Sequence, residues 1–109
     1  MDNLTIILDC NKLQQYGNGK GGTDKKTSYY LNIAKALKLN FDIIYGNSIV
    51  DLINAFKNIK RNKNNKPNFI TALTNKGNGI SFMEGNYKWH SNKLTEEQYI
   101  NAINELGEN

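Results

Sequence analysis

A chain of 109 residues is long enough for one small domain, and its formal net charge of +4 accompanies a hydrophobic content of 39%. No apolar run reaches the roughly 20 residues that a membrane-spanning helix needs, and the first residues lack a basic signal-peptide region. The single cysteine, Cys10, excludes an intrachain disulfide, so we expect a cytoplasmic protein.

The first half of the chain predicts a strand, a loop, a helix and a second strand. Residues 4–8 form a continuous apolar run that is typical of a buried strand. The polar segment 11–24 contains four glycines, which predict a flexible loop with room for close backbone approach. Apolar residues at helical spacing then predict a helix capped by Thr27 or Ser28, and residues 41–45 predict the second strand.

The second half predicts a helix, a strand and a final helix. A helix is predicted to begin at Ser48, because apolar residues follow it at helical spacing. Asp51 stands three residues later, where a carboxylate can hydrogen-bond back to the cap residue. Residues 69–73 predict the third strand. The last helix opens on a capping box at residues 95–98 and ends at Gly107.

The order of these elements predicts an α/β fold of three parallel strands with flanking helices. Continuous apolar strands that alternate with amphipathic helices are typical of a parallel sheet covered on both faces. In a sheet of three strands both outer strands are exposed edges, and an exposed parallel edge invites another strand. We therefore expect the sheet to be incomplete without a partner, with self-association as the fallback.

Residues 60–66 form the densest basic segment of the chain. A solvated loop explains this segment better than a nucleic-acid site, because no aromatic residue is interleaved there to stack on bases. No recognised nucleic-acid motif occurs elsewhere, which disfavours a small basic nucleic-acid module.

Two motifs go beyond the fold class. In residues 4–14 a strand leads to Asp9, Asn11 and Leu13, and residues 74–84 read Thr-Asn-Lys-Gly-Asn-Gly-Ile-Ser-Phe-Met-Glu before the pair Trp89-His90. Together they resemble the N-terminal, thiamine-diphosphate-binding domain of transketolases, especially the type divided between two polypeptides. The intervening elements match in order and approximate length, so the resemblance extends over almost the whole chain.

The resemblance implies that residues 1–109 are a single partial domain, the C-terminal half of the cofactor-binding domain. The family's cofactor motif begins with Gly-Asp-Gly, which does not occur in the sequence. A partner polypeptide would therefore carry that half, and a further subunit would carry the pyrimidine-binding domain. The implied reaction is transfer of a two-carbon ketol unit between sugar phosphates, with thiamine diphosphate and Mg²⁺ bound only in the assembled complex.

The same resemblance implies roles for four residues. Asn11 would give its side-chain oxygen to Mg²⁺ and Leu13 its backbone carbonyl, which suits a cation that prefers hard oxygen ligands. Lys76 would direct its ammonium toward the cofactor or substrate phosphate. His90, the only histidine, would lie near the diphosphate and the reacting sugar, where imidazole can donate hydrogen bonds or relay protons.

Several positions depart from the family pattern and leave alternatives open. Lys12 stands where the family has glycine after the metal asparagine, residues 45–48 read Tyr-Gly-Asn-Ser in place of Asp-Gly-His-Asp, and Ser91 replaces a glycine. The alternatives are a non-catalytic, degenerate fragment with a binding or regulatory role, and a relative of deoxyxylulose-phosphate synthase. The Ser-Phe-Met-Glu run at residues 81–84 favours a transketolase.

Overall fold

The structure, a computed structural model, describes residues 3–14, 17–18, 27–62 and 64–107. Its main sheet has three parallel strands, β1 (Thr5–Cys10), β4 (Asn40–Tyr45) and β5 (Asn68–Leu73). Their order across the sheet is β1-β5-β4, so β5 is the central strand. The helices are α1 (Thr27–Ala36), α2 (Ile49–Arg61), the 3-10 helix Tyr87–His90 and α3 (Glu96–Leu106). Two further short strands, β2 (Leu13–Gln14) and β3 (Gly17–Asn18), pair antiparallel outside this sheet.

The predicted α/β class with three parallel strands is confirmed, and the strand ends are the main difference. The apolar run predicts an end of the first strand at Leu8, but β1 continues through Asp9 to Cys10, because these residues pair with β5. The sequence does not predict the β2–β3 pair, since strands of two residues have no periodicity to detect. The predicted loop 11–24 includes this pair, and its residues 15–16 and 19–24 lie outside the described residues.

Both predicted caps of the later helices are present. The Ser48 side chain accepts from the amide of Asp51 at 3.2 Å, and the Asp51 carboxylate accepts from the amide of Tyr45 at 3.3 Å. Asp51 thus ties the start of α2 to the end of β4. A capping box joins Thr95 and Gln98 at the start of α3, which ends at Gly107 in the left-handed conformation.

The core is small and lies between α2 and the sheet. Its buried apolar residues are Ile44, Ala55, Ile70 and Ala72. Two partly buried side chains, Leu52 and Ile59, pack against them. The outer strand β1 has less cover, and Ile7 is 50% exposed. The radius of gyration is 16.8 Å, against about 13 Å for a compact domain of about 100 residues. Among the described residues, no helix combines the length and apolar character needed to cross a membrane.

Thr71, on the central strand β5, has a buried hydroxyl with no hydrogen-bond partner among the described residues. A buried hydroxyl without a partner costs roughly 1–3 kcal/mol, so valine should raise the free energy of unfolding by about 1 kcal/mol. Urea denaturation of Thr71→Val measures this change. Thr74→Val is the matched control, because the Thr74 hydroxyl donates to Asp9 and its removal should lower stability. Destabilisation at both positions would contradict the assignment at Thr71.

Candidate functional site

A cavity of about 370 Å³ opens at the carboxyl ends of the three parallel strands. Cys10, Tyr45 and Leu73 are the last residues of β1, β4 and β5, they stand level in the strand register, and all three line the cavity. Polar residues from the following loops complete the lining: Lys12, Asn47, Thr74, Asn75 and Asn78. Ligands of open parallel α/β sheets bind outside the carboxyl ends of the strands, so this edge is the candidate site.

Side-chain hydrogen bonds join the loops that follow β1 and β5. The hydroxyl of Thr74 donates a short hydrogen bond to Asp9 Oδ1, across a sequence separation of 65 residues. The amide nitrogen of Asn11 lies 3.5 Å from the other oxygen of the same carboxylate, Asp9 Oδ2. Asp9 therefore anchors both loops at the edge of the cavity.

Asn11 and Leu13 form one tight turn beside this anchor. The side-chain oxygen Oδ1 of Asn11 accepts a hydrogen bond of 2.9 Å from the amide of Leu13. Lys12, between them, has a φ of 61°, a left-handed conformation that glycine adopts at lower cost. The turn therefore holds the Asn11 side chain and the Leu13 backbone within two residues of one another.

The donor chemistry of this turn is compatible with Mg²⁺. Asn11 Oδ1 keeps a second lone pair after accepting from Leu13, and amide and carbonyl oxygens are hard ligands of the kind Mg²⁺ prefers. Asn11 Oδ1 and the carbonyl oxygen of Leu13 are both neutral. Among the described residues, no group of three or more His, Cys, Asp or Glu side chains could hold a metal. The residues present fit part of a magnesium ligand set, and the remaining oxygens of an octahedral set would have to come from groups outside this turn.

The loops after β4 and β5 pack closely on the opposite side of the cavity. A Cβ atom placed on Gly46 would lie 2.5 Å from Thr74 Cγ2 and 2.9 Å from Ala72 Cβ, so this position has no room for a side chain. The next residue, Asn47, accepts a hydrogen bond of 2.7 Å from the amide of Asn75 through Oδ1. These contacts fix the relative position of the two loops. The sequence around Gly46 indicates only a departure from the family pattern. It does not identify Asn47 as a residue that lines the cavity.

Lys76 begins a compact loop that is closed on itself. Its carbonyl accepts a hydrogen bond of 2.9 Å from the amide of Gly85, and the loop is fixed to α3 through Ser81. Glu105 of α3 accepts from the Ser81 amide and, at 2.8 Å, from the Ser81 hydroxyl. The amide hydrogen bond, and then the hydroxyl one, hold the pKa of Glu105 below its usual range. The Lys76 side chain is partly buried and does not line the cavity.

His90 is exposed at the end of the 3-10 helix. The preceding Trp89 fixes this helix, because its indole Nε1 donates a hydrogen bond of 3.0 Å to the carbonyl of Phe82 and its ring meets the Phe82 ring edge-on at 5.5 Å. His90 does not line the cavity, and neither do Asn11 and Leu13. The structure thus places Asn11 and Leu13 on one turn and Lys76 and His90 on the loop and helix after β5, and their roles stay predictions.

Comparison with known proteins connects this architecture with transketolases. The chain is 34% identical over 110 residues to one subunit of an apulose-4-phosphate transketolase of Phocaeicola vulgatus, covering 99% of the chain and 37% of that subunit. It is 30% identical over 106 residues to human transketolase, covering 97% of the chain and 16% of that protein. A crystal structure of transketolase from Campylobacter jejuni superposes with a TM-score of 0.79 at 26% identity, covering 97% of the chain and 16% of the transketolase chain.

These matches confirm the resemblance that the motifs predict: the homologues of the chain are transketolases and subunits of divided transketolases. No protein-family profile matches the chain. The chain spans about a third of the homologous subunits and a sixth of the undivided enzymes, so it corresponds to part of a domain in each.

Proposed function

We propose that the chain is a component of a thiamine-diphosphate-dependent, transketolase-type enzyme, in which it contributes residues on the magnesium and diphosphate side of the cofactor. The observation that carries the proposal is the Asn11–Leu13 turn beside a cavity at the carboxyl ends of the strands. The homology to transketolases supports the same assignment. The bound cofactor would supply the carbanion and the electron sink for transfer of a two-carbon ketol unit between sugar phosphates.

Within that site the residues of this chain bind and orient. Asn11 Oδ1 and the carbonyl of Leu13 would be ligands of Mg²⁺, and the Asx turn restricts the Asn11 side chain before the ion arrives. The hydrogen bonds of Asp9 to Thr74 and Asn11 hold the turn against the loop after β5. The arrangement is prepared by contacts within the chain, so little ordering remains to be done on binding.

A partner polypeptide is the second part of the proposal. The relatives from Phocaeicola vulgatus and Actinobacillus succinogenes are each named as one subunit of a transketolase, which implies another polypeptide in those enzymes. The described part of this chain offers neutral oxygens but no cluster of ionisable metal ligands. We therefore propose that the Mg²⁺ carboxylate comes with the Gly-Asp-Gly half, and that the residue activating the aminopyrimidine comes with a pyrimidine-domain subunit.

His90 would provide hydrogen bonding or proton relay at the substrate end. In the assembled enzyme, His90→Ala should reduce turnover of sugar phosphates by at least about tenfold, because a positioned imidazole contributes to proton transfer near neutral pH. Its unfolding midpoint should stay at the wild-type value, since the side chain is exposed. Steady-state kinetics and thermal unfolding measure the two quantities.

Lys88→Ala is the matched control, because Lys88 is exposed on the same 3-10 helix. Its turnover should remain at the wild-type rate. An unchanged rate in His90→Ala would show that His90 is an ordinary surface residue. It would favour the alternative of a non-catalytic fragment with a binding or regulatory role.

A further inference from the structure

Lys12 carries the only formal charge among the described residues that line the cavity at the carboxyl ends of the strands. The nearest acid in the sequence, Asp9, does not line the cavity, and its two oxygens accept from Thr74 and Asn11. Within the described part of the chain, no residue accepts a hydrogen bond from the Lys12 ammonium or forms an ion pair with it. The cavity therefore has an unpaired positive charge, which favours an anionic ligand.

The backbone conformation of Lys12 is one that lysine adopts only at a cost. Its φ of 61° lies in the left-handed region, where a side chain is crowded and glycine is not. The turn itself is closed by the neighbouring residues, since the Leu13 amide donates to Asn11 Oδ1 at 2.9 Å, and glycine at position 12 would keep that bond. A strained residue whose side chain the turn does not need points to a role for that side chain in a ligand site.

Hydrogen-bond donors accompany this charge in the cavity lining. Asn47 Oδ1 accepts from the Asn75 amide at 2.7 Å, which leaves Asn47 Nδ2 as a donor. Asn75 and Asn78 also line the cavity, and neither side chain forms a hydrogen bond with another described residue. A lysine with amide donors around it suits phosphate oxygens, because the ammonium acts as a point charge and each oxygen accepts hydrogen bonds. The cavity volume of about 370 Å³ is within the range of small-molecule sites.

We propose that Lys12 is a phosphate-binding residue of this cavity and that its ligand is the diphosphate of thiamine diphosphate. The identity of the ligand rests on the proposed function, whereas the phosphate site rests on the cavity alone. Lys12 lies between Asn11 and Leu13, whose oxygens are the proposed ligands of Mg²⁺. Because Mg²⁺ in proteins usually binds together with phosphate oxygens, a lysine in the same turn is placed to contact the phosphate that the ion binds. This position favours the cofactor diphosphate over the phosphate of the sugar substrate.

Amide chemical shifts of the 109-residue chain, recorded by NMR during a titration with inorganic pyrophosphate, test the phosphate site without any partner. The amides of Lys12, Asn47 and Asn75 should shift with a dissociation constant of about 1–10 mM, which is the weak binding expected of one ammonium and neutral amides. Lys12→Gly should weaken this binding at least about fivefold, because a charge-assisted hydrogen bond is lost. Lys12→Arg should keep the wild-type affinity, since it keeps the charge.

Lys38→Gly is the matched control, because Lys38 is also an exposed lysine in the left-handed region, with a φ of 55°, and it does not line the cavity. Both glycine variants should raise the urea midpoint of unfolding, since glycine adopts this conformation at lower cost. Only Lys12→Gly should lose affinity for pyrophosphate. Equal losses in the two variants, wild-type affinity in Lys12→Gly, or shifts confined to the basic segment 60–66 would each overturn the phosphate site.

Calorimetry and kinetics of the assembled enzyme test which phosphate Lys12 binds. Lys12→Gly should raise the dissociation constant of thiamine diphosphate at least about fivefold and leave the KM of the sugar phosphates at the wild-type value once the cofactor is saturating. A raised KM with unchanged cofactor affinity would assign Lys12 to the substrate and overturn the cofactor assignment. Failure of the proposed function has a different result: the wild-type assembly would then bind no thiamine diphosphate, although the chain still binds pyrophosphate at Lys12.

Discussion

Gly77→Ala is expected to destabilise the loop that begins at Lys76 by about 2–4 kcal/mol. Gly77 has a φ of 72°, and the left-handed conformation costs alanine about 1 kcal/mol. A Cβ atom there would lie 2.5 Å from the carbonyl carbon and from Cβ of Met83, which adds the cost of overpacking, about 1–3 kcal/mol. The backbone has little freedom to move away, because the Gly85 amide donates to the Lys76 carbonyl at 2.9 Å.

Urea denaturation followed by tryptophan fluorescence measures this effect, because Trp89 packs on Phe82 of the same loop. Gly85→Ala is the matched control. Gly85 has a similar φ of 65°, but a Cβ atom placed on it meets nothing within 4 Å, so alanine bears only the conformational cost of about 1 kcal/mol. Equal losses of stability in the two variants would show that the close approach to Met83 does not govern the loop.

The sheet and helices can be predicted because they rest on patterns of local sequence. The apolar runs at residues 41–45 and 69–73 correspond to β4 and β5 within one residue. Ser48 and Thr95 cap their helices as expected, since a cap depends on residues only three positions apart. The predicted end of β1 is too early because Asp9 is charged, and its inclusion in the strand follows from pairing with Ala72.

The candidate site is less accessible to sequence reasoning, because its contacts join residues far apart in the chain. The hydrogen bond from Thr74 to Asp9 spans 65 residues, and the one from Asn75 to Asn47 spans 28. Neither has a local signature, and asparagine after a strand is commonly a turn residue. The family resemblance identifies the turn at Asn11, but it gives no indication that Lys12 lines the cavity.

The isolated chain is expected to bind thiamine diphosphate with Mg²⁺ no more tightly than about 1 mM, roughly a thousandfold weaker than a micromolar site. The described residues supply two neutral oxygens on the Asn11–Leu13 turn and no cluster of ionisable metal ligands. Mg²⁺ bound with a diphosphate needs an octahedral set of oxygens, which is more than two oxygens of one turn and the diphosphate supply. The outer strand β1, which leads to the turn, also leaves Ile7 half exposed.

Isothermal titration calorimetry of the 109-residue chain with thiamine diphosphate and Mg²⁺ tests the central claim most directly. The same titration into the assembled enzyme serves as the positive control. We predict no measurable binding to the chain alone at micromolar concentrations, and saturable, Mg²⁺-dependent binding once the partner polypeptides are present. Binding of the cofactor by the isolated chain at micromolar affinity or better would contradict the claim that it holds only part of a shared site.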